Sequence, residues 1–129
     1  MLKGKEVYIC SPLSADTKEG IRANMLQARS YVEIISDCLE CRATAPHAWL
    51  PEFLDDTMPE ERELGLSFGK VILYKCHALI ICGEHISSGM KEEIKYARSL
   101  NKPVFQWIVN AEGQGVIRIY ESKGEEYEV

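Results

Sequence analysis

The sequence has no apolar run of membrane-spanning length and no cluster of basic residues. Its 129 residues include 15 Lys and Arg against 20 Asp and Glu, a formal net charge of −5. A membrane-spanning helix needs about 20 apolar residues in succession, and nucleic-acid backbones are bound by clustered positive charge. Met1–Lys5 is too short and polar to open a signal peptide. We therefore expect a cytoplasmic protein that binds a small molecule, with no nucleic-acid polymer and no membrane as partner.

The sequence has five cysteines but lacks the paired spacing of a metal site. Cys38 and Cys41 form one Cys-x-x-Cys pair, which lacks the second half of a zinc site and has no thioredoxin-like context. We interpret this pair as the end of a helix and the start of a strand. Cys10, Cys76 and Cys82 lie in or beside apolar runs, where cysteine usually acts as a small hydrophobic residue. No metal and no cofactor is expected.

Short apolar runs alternate with longer amphipathic segments, as in a single domain over residues 1–129. Strands are predicted at Val7–Cys10, Arg42–Ala45, His77–Cys82 and Pro103–Val109, with weaker alternation at Val116–Tyr120 and Tyr127–Val129 around Gly124. The weak segments suggest an edge hairpin or a segment used in assembly.

Three helices are predicted between these strands. The first carries apolar residues at steps of three and four from Ile21 to Ile35, with a capping box at Asp16 and Glu19. The second has a capping box at Thr57 and Glu60 with Pro59 in its first turn, and it runs to about Lys75 through Leu64, Phe68 and Val71. The third begins near Ser88.

This alternation predicts a Rossmann-like or flavodoxin-like three-layer α/β sandwich. Right-handed crossovers give a parallel sheet of order about 2-1-3-4, plus the C-terminal strand or hairpin. The first and third strands are then neighbours, and a ligand is expected outside their carboxyl ends, beside loops Ser11–Asp16 and Gly83–Ser88. The aromatic loop Pro46–Met58 is longer than a minimal connection, and such loops often carry function.

Glu93 is the residue that the helical pattern does not explain. At about 100° per residue, the third helix places Met90, Ile94 and Ala97 on one face, and Glu93 falls inside that apolar arc, whereas Glu92 is on the polar side. An inward carboxylate must find partners or take a raised pKa. It is either a group used in chemistry or one salt-bridged to an Arg, and the pattern leaves both open.

The turn before this helix offers an anion site. Ser87, Ser88 and Gly89 supply two hydroxyls and a close backbone at a helix N-terminus, which favours phosphate or carboxylate. Ser at this position is also an ordinary helix cap. A phosphate at the turn and the carboxylate of Glu93 one helical turn deeper would bracket a ribose.

From residue 6 to about 107, the chain resembles the nucleoside 2-deoxyribosyltransferase-like family, which includes the nucleoside 5′-monophosphate N-glycosidases. Family motifs are matched by Tyr8 and Ser11-Pro12 in VYICSP, and by Ser87, Gly89, Glu93 and Ala97, with Ile94 and Tyr96 also typical. The segment Pro46–Met90 also resembles short bacterial and phage proteins known only as a domain of unknown function.

The resemblance implies roles for these residues. Glu93 is similar to the family's nucleophile and Tyr8 to the residue that orients it, while Ser87 resembles a ligand of the 5′-phosphate. Substrate binding is assigned to the surrounding loops, at Ser11, Pro12, His47, Asp56, Ser87, Ser88, Gly89 and Met90. From their position beside the crevice, His47, Trp49 and Phe53 either stack on or hydrogen-bond a base, or they close the loop over the core or a neighbouring subunit.

The chain lacks the acidic residue that, in the family, assists departure of the base. An Asp expected two helical turns before the third strand falls near Gly69, and another at the strand's start is replaced by His77. Asp55, Asp56, Glu63 and Glu84 remain as alternatives.

Three functions follow from these residues. The first is cleavage or transfer of the N-glycosidic bond of a nucleoside or nucleoside 5′-monophosphate through a glycosyl-enzyme intermediate on Glu93. The second is a non-catalytic nucleotide-binding or sensing module of the same fold. The third is a structural or assembly domain, which leaves Glu93 unexplained. Because so small a domain makes an open crevice, we also expect a homodimer or higher homo-oligomer.

Overall fold

A five-stranded sheet of order β2-β1-β3-β4-β5 is the middle layer of the computed structural model, which describes residues 2–55 and 57–120. The elements are β1 (Glu6–Cys10), α1 (Lys18–Leu39), β2 (Arg42–Thr44), two 3-10 turns (Pro46–Ala48 and Leu50–Glu52), α2 (Pro59–Lys75), β3 (Ala78–Ile81), α3 (Ser88–Ser99), β4 (Val104–Val109) and β5 (Gly115–Ile119). Strands β1 to β4 pair in parallel and β5 runs antiparallel to β4. The predicted α/β fold and strand order are confirmed.

The two faces of the sheet carry separate cores. Along β1, Val7 and Ile9 pack with Ala28 and Ile35 of α1 on one face. Tyr8 and Cys10 point to the other face, because successive side chains of a strand alternate. There they pack with Leu73 of α2, and with Met90, Ile94 and Ala97 of α3. Glu93 belongs to α3, the helix that covers this second core. Its carboxylate is therefore on the same side of the sheet as Tyr8.

The predicted capping boxes of the first two helices are wrong. The N-cap of α1 is Thr17, whose hydroxyl accepts a hydrogen bond from Gly20 N. The N-cap of α2 is Met58, without a side-chain cap, because the Thr57 backbone and hydroxyl donate to Asp55 Oδ1. In α3 the predicted start is confirmed, with Ser87 as its N-cap.

The apolar residues that marked α2 in the sequence do not face the core. Leu64, Phe68 and Val71 are 58%, 44% and 51% exposed, whereas Leu73 is 1% exposed. Gly65 and Gly69 lie on the inward side, where an added Cβ would meet Leu54 and the Tyr8 hydroxyl in ordinary contact. The small residues therefore let α2 lie close to β1, and an apolar stripe is left on its outer side.

The C-terminal strand forms a hairpin with β4. Its turn is closed by Asn110, whose backbone N–H donates to Gln114 O and whose side-chain oxygen accepts from Gln114 N. Gly113 has φ +81° in this turn, a conformation that glycine adopts without strain. The predicted C-terminal strand at Val116–Tyr120 is confirmed as β5, whereas the predicted hairpin around Gly124 with Tyr127–Val129 lies outside the described residues.

No helix in the described ranges is both long and apolar enough to cross a membrane.

Candidate active site

Both carboxylate oxygens of Glu93 are held by side chains of β1. The Tyr8 hydroxyl donates to Glu93 Oε2, and the Cys10 thiol lies 3.4 Å from Glu93 Oε1 and donates to it. Tyr8 and Cys10 are 2% and 0% exposed. Because they are two residues apart on one strand, they share a face. Glu93 is not part of a salt bridge in the described part of the chain, so the salt-bridge alternative is not supported.

Burial and hydrogen bonding act on Glu93 in opposite directions. Burial raises the pKa of the Glu93 carboxyl, while the hydrogen bonds from Tyr8 and Cys10 lower it. The pKa values of Tyr8 and Cys10 are raised well above their usual values. Burial is the larger cause, and the nearby Glu93 carboxylate is the second. Both groups therefore stay protonated at neutral pH and act as donors. The result is a carboxylate in an apolar setting whose two oxygens have defined directions.

The loop at the start of α3 is organised by its own cap. Ser87 Oγ accepts from Met90 N at 3.3 Å, and Ser87 N donates to Met90 Sδ. Ser88 and Gly89 are exposed in the first turn, whereas Met90 is 2% exposed and belongs to the core. Ser87 still has its hydroxyl proton to donate. Because the amide of Met90 is bonded to Ser87 Oγ, the amides of Ser88 and Gly89 are the ones that remain open to an anion.

The loop after β1 contacts both neighbouring loops. Ser11 Oγ lies 2.8 Å from His47 Nε2, and Ser11 is 4% exposed. Burial lowers the pKa of His47 to about 4, so its imidazole is neutral at pH 7 and able to donate from one nitrogen and accept at the other. Pro12 packs beside Gly83, where its Cδ would lie 3.5 Å from an added Cβ. The loops after β1, β2 and β3 therefore meet at one edge of the sheet, as predicted.

An apolar pocket opens beside these loops. Its volume is about 330 Å³. It is lined by Thr44, Pro46, Trp49, Leu50, Phe53, Phe68 and Ile72. Thr44 pairs with Tyr8 in the sheet, so the pocket lies on the β2 side of Tyr8. Arg29 stacks on Trp49 at 3.9 Å from the ring centroid and pairs with Glu52 at 2.7 Å, which fixes the wall formed by this loop.

Of the four candidates for the acid missing at Gly69, the three that the structure describes are exposed. An added Cβ at Gly69 would lie 3.6 Å from the Tyr8 hydroxyl, so this position does face the candidate site. Asp55 is exposed and bonded by Thr57, which lowers its pKa and favours the ionised form. Glu63 and Glu84 are exposed. Asp56 lies outside the described residues.

Cys10 is the residue that the sequence interpretation missed. It is buried, as expected of a small hydrophobic residue, but its thiol also contacts the candidate nucleophile. The available signal was its spacing, because a residue two positions after Tyr8 must share its face of the strand. Within residues 2–55 and 57–120, no group of three or more His, Cys, Asp or Glu side chains is placed to hold a metal ion.

Comparisons with known proteins agree with this architecture. Residues 5–107 match the family model described as "Domain of unknown function (DUF7768)", and the chain belongs to that family. A search of curated proteins found no match. Among the solved structures that match is a 2-deoxyribosyltransferase from the psychrotolerant bacterium Bacillus psychrosaccharolyticus, with a TM-score of 0.60 and 16% sequence identity. The alignment covers 95% of this chain and 90% of that one. At this identity the likeness establishes a shared fold.

Proposed function

We propose that the protein cleaves or transfers the N-glycosidic bond of a nucleoside or nucleoside 5′-monophosphate, with Glu93 as the nucleophile. The observation that carries the proposal is the setting of Glu93. Glu93 is half-buried, and its carboxylate lies against the buried apolar core that contains Tyr8 and Cys10. It carries a hydrogen bond on each oxygen and forms no salt bridge among the described residues. A purely structural carboxylate would not need this arrangement, because an apolar residue would fill the site at lower desolvation cost.

The reaction proceeds in two displacements. A Glu93 oxygen attacks the anomeric carbon, a C–O bond forms, and the C–N bond breaks with its electron pair leaving on the base. The base takes a proton as it departs or from solvent afterwards. Water then hydrolyses the glycosyl ester, or a second base accepts the sugar. Tyr8 keeps the carboxylate in place throughout, and no metal or cofactor takes part in these steps.

The surrounding loops provide places for the remaining parts of the substrate. The first turn of α3, at Ser87, Ser88 and Gly89, is suited to the 5′-phosphate because it offers amides on a positive dipole end. The pocket beside Tyr8, with Trp49, Phe53 and Phe68 in its lining, is suited to a planar base. His47 and Ser11 contact each other in the loop cluster beside the pocket.

The fold relationship supports this assignment. The matching solved structure is described as a 2-deoxyribosyltransferase and as a biocatalyst for the synthesis of nucleosides. Tyr8, Ser87 and Glu93 resemble motif residues of the nucleoside 2-deoxyribosyltransferase-like family. The hydrogen bond between Tyr8 and Glu93, and the position of Ser87 as N-cap of the helix that carries Glu93, are consistent with this resemblance. We therefore propose that the chain is related to that wider family in function as well as in fold.

A non-catalytic nucleotide-binding module is the second candidate, and one observation favours it. Position 69 faces the Tyr8 hydroxyl and carries a glycine, so that part of the site offers no acid to a departing base. A module of this kind would keep the pocket and the anion site and bind nucleotides without turnover.

One experiment separates the two candidates. The protein is incubated with a panel of nucleosides and their 5′-monophosphates, and both free base and the shift in melting temperature are measured. Base release that disappears in Glu93→Gln supports the enzyme, whereas stabilisation without base release supports the binding module. Monophosphates should stabilise the protein more than nucleosides, and Ser87→Asp should remove this preference by charge repulsion. No stabilisation and no release by any compound contradicts both candidates.

We also propose that the protein is a cytoplasmic homo-oligomer whose partner subunit helps to close the crevice. The apolar stripe of α2, formed by Leu64, Phe68 and Val71, is continuous with the pocket because Phe68 belongs to both. Exposed contiguous apolar surface is typical of interaction sites. Sedimentation as a monomer at micromolar concentration would contradict this proposal.

A further inference from the structure

The contact between Cys10 and Glu93 is unusual for a core cysteine. Cys10 is 0% exposed and surrounded by apolar side chains of β1, β3 and α3. Its sulfur lies 3.4 Å from Glu93 Oε1 and 3.9 Å from the backbone oxygen of Met90. A thiol has one proton to donate. Glu93 Oε1 is closer than Met90 O, and a carboxylate oxygen is a stronger acceptor than a backbone carbonyl oxygen. The thiol proton is therefore directed to Glu93.

The two donors on Glu93 are complementary. Tyr8 holds Oε2 and Cys10 holds Oε1, so together they fix the plane of the carboxylate. With Tyr8 alone, the group would be free to rotate about its last side-chain bond, a torsion that is broad for Glu. The thiol is also a weak donor. It can direct Oε1 while withdrawing less charge from it than a hydroxyl would.

We propose that Cys10 is a positioning residue for Glu93, whose thiol holds Oε1 in the direction needed for attack on the anomeric carbon. The catalytic part of this inference rests on the proposed glycosidic reaction. The holding part does not, because it concerns the free protein. The groups that act on Glu93 are few: apart from burial, its pKa is shifted by Tyr8 and Cys10 of β1, and α2 presents Gly69 to the Tyr8 hydroxyl.

Cys82 provides a matched control. It is also a 0% exposed cysteine, directly after β3, and its thiol donates to a backbone oxygen, that of Ile80, at 3.9 Å. It belongs to the core on the opposite face of the sheet. Cys82→Ala therefore removes a buried thiol and leaves a similar small cavity without touching Glu93.

The first measurement is a carboxyl titration of Glu93 by NMR in the free protein, with the resonance assigned by its loss in Glu93→Gln. Cys10→Ala removes a donor to the ionised form, so the pKa of Glu93 should rise, whereas Cys82→Ala should leave it unchanged. Cys10→Ser keeps a donor and should keep the pKa at or below that of the wild type. An equal Glu93 pKa in Cys10→Ala, Cys82→Ala and wild type overturns the inference.

The second measurement is steady-state base release by the same variants. Cys10→Ala should lower kcat about tenfold, the effect of roughly one lost weak hydrogen bond to a charge, with KM within about twofold. The acid limb of its pH profile should move to higher pH. Cys10→Ser should recover most of kcat, and Cys82→Ala should match wild type. If base release is absent in every protein, wild type included, the proposed reaction fails, and a pKa shift specific to Cys10→Ala still supports the holding role. Equal losses of kcat in Cys10→Ala and Cys82→Ala overturn the positioning role.

Discussion

Removal of the Tyr8 hydroxyl should reduce stability by an amount that depends on pH. Tyr8 is 2% exposed and donates to Glu93 Oε2. Tyr8→Phe keeps the packed ring but leaves that oxygen without its donor, since Cys10 is bonded to the other oxygen. A hydrogen bond to a charged group contributes about 1.5–3 kcal/mol, against about 0.5–1.5 kcal/mol for a neutral one. We expect a loss of about 2 kcal/mol at pH 8 and about 1 kcal/mol at pH 4.

The sign follows from the pKa of Glu93. Burial raises this pKa in the folded protein, so folded Glu93 is protonated at pH 4, and stability falls as pH rises through the interval above the ordinary value of 4.5. The Tyr8 hydroxyl lowers the folded pKa and limits this fall. Without it the fall is larger, which is why Tyr8→Phe costs more at pH 8.

Urea unfolding at the two pH values measures both losses by linear extrapolation. Tyr31→Phe is the control, because Tyr31 of α1 packs on the opposite face of the sheet. In a Glu93→Gln background the extra cost at pH 8 should vanish, since the charge is gone. The same loss at pH 4 and pH 8, or a pH dependence that persists with Glu93→Gln, would refute the reasoning.

Three further predictions concern positions around the site and the hairpin. Gly69→Ala should raise the free energy of unfolding by about 0.5–1 kcal/mol, because Gly69 is inside α2 and its new Cβ would lie 3.6 Å from the Tyr8 hydroxyl; a loss in urea unfolding would show that the helix cannot accept it. Gly115→Ala should instead cost about 1–3 kcal/mol in the same assay, since its Cβ would come within 2.1 Å of the Trp107 ring, and an unchanged midpoint would contradict this contact. Because the pKa of His47 is lowered from 6.5 to about 4, the unfolded chain binds more protons between those values, and stability should rise by about 2–3 kcal/mol from pH 4 to pH 6.5. His47→Asn should remove most of that rise, whereas His85→Asn, at an exposed position, should leave it in place. An unchanged dependence of the unfolding free energy on pH in His47→Asn would contradict the prediction.

The sheet could be predicted from the sequence because its signals are local and repeated. Apolar runs such as Val7–Cys10 and His77–Cys82 alternate with helical segments, and crossover handedness then leaves few strand orders. Glu93 could be found because the period of α3 is regular and Met90, Ile94 and Ala97 are buried as expected. These inferences needed no knowledge of contacts between distant parts of the chain.

The orientation of α2 could not be predicted in the same way. Leu64, Phe68 and Val71 have helical spacing and located the helix correctly, but they are exposed. The inward face is set by tertiary contact, because Gly65 and Gly69 allow a close approach to Leu54 and Tyr8. A hydrophobic period cannot distinguish a core stripe from an apolar surface stripe.

The caps and the role of Cys10 were missed for similar reasons. Thr17 and Asp16 are both acceptable N-caps, and the choice depends on the backbone conformation where the loop enters α1. The partner of Cys10, Glu93, is 83 residues away in sequence. Spacing along β1 gave the shared face with Tyr8, but only the docking of α3 gives the contact.

The direct test of the central claim is rapid quenching of the reaction followed by mass spectrometry of intact protein and of its peptides. With a 5′-monophosphate substrate that releases base, the account predicts a sugar-phosphate adduct on the peptide that contains Glu93. The adduct should persist in Glu92→Gln and be absent in Glu93→Gln. An adduct on another residue, or base release by Glu93→Gln at the wild-type rate, would contradict Glu93 as the nucleophile.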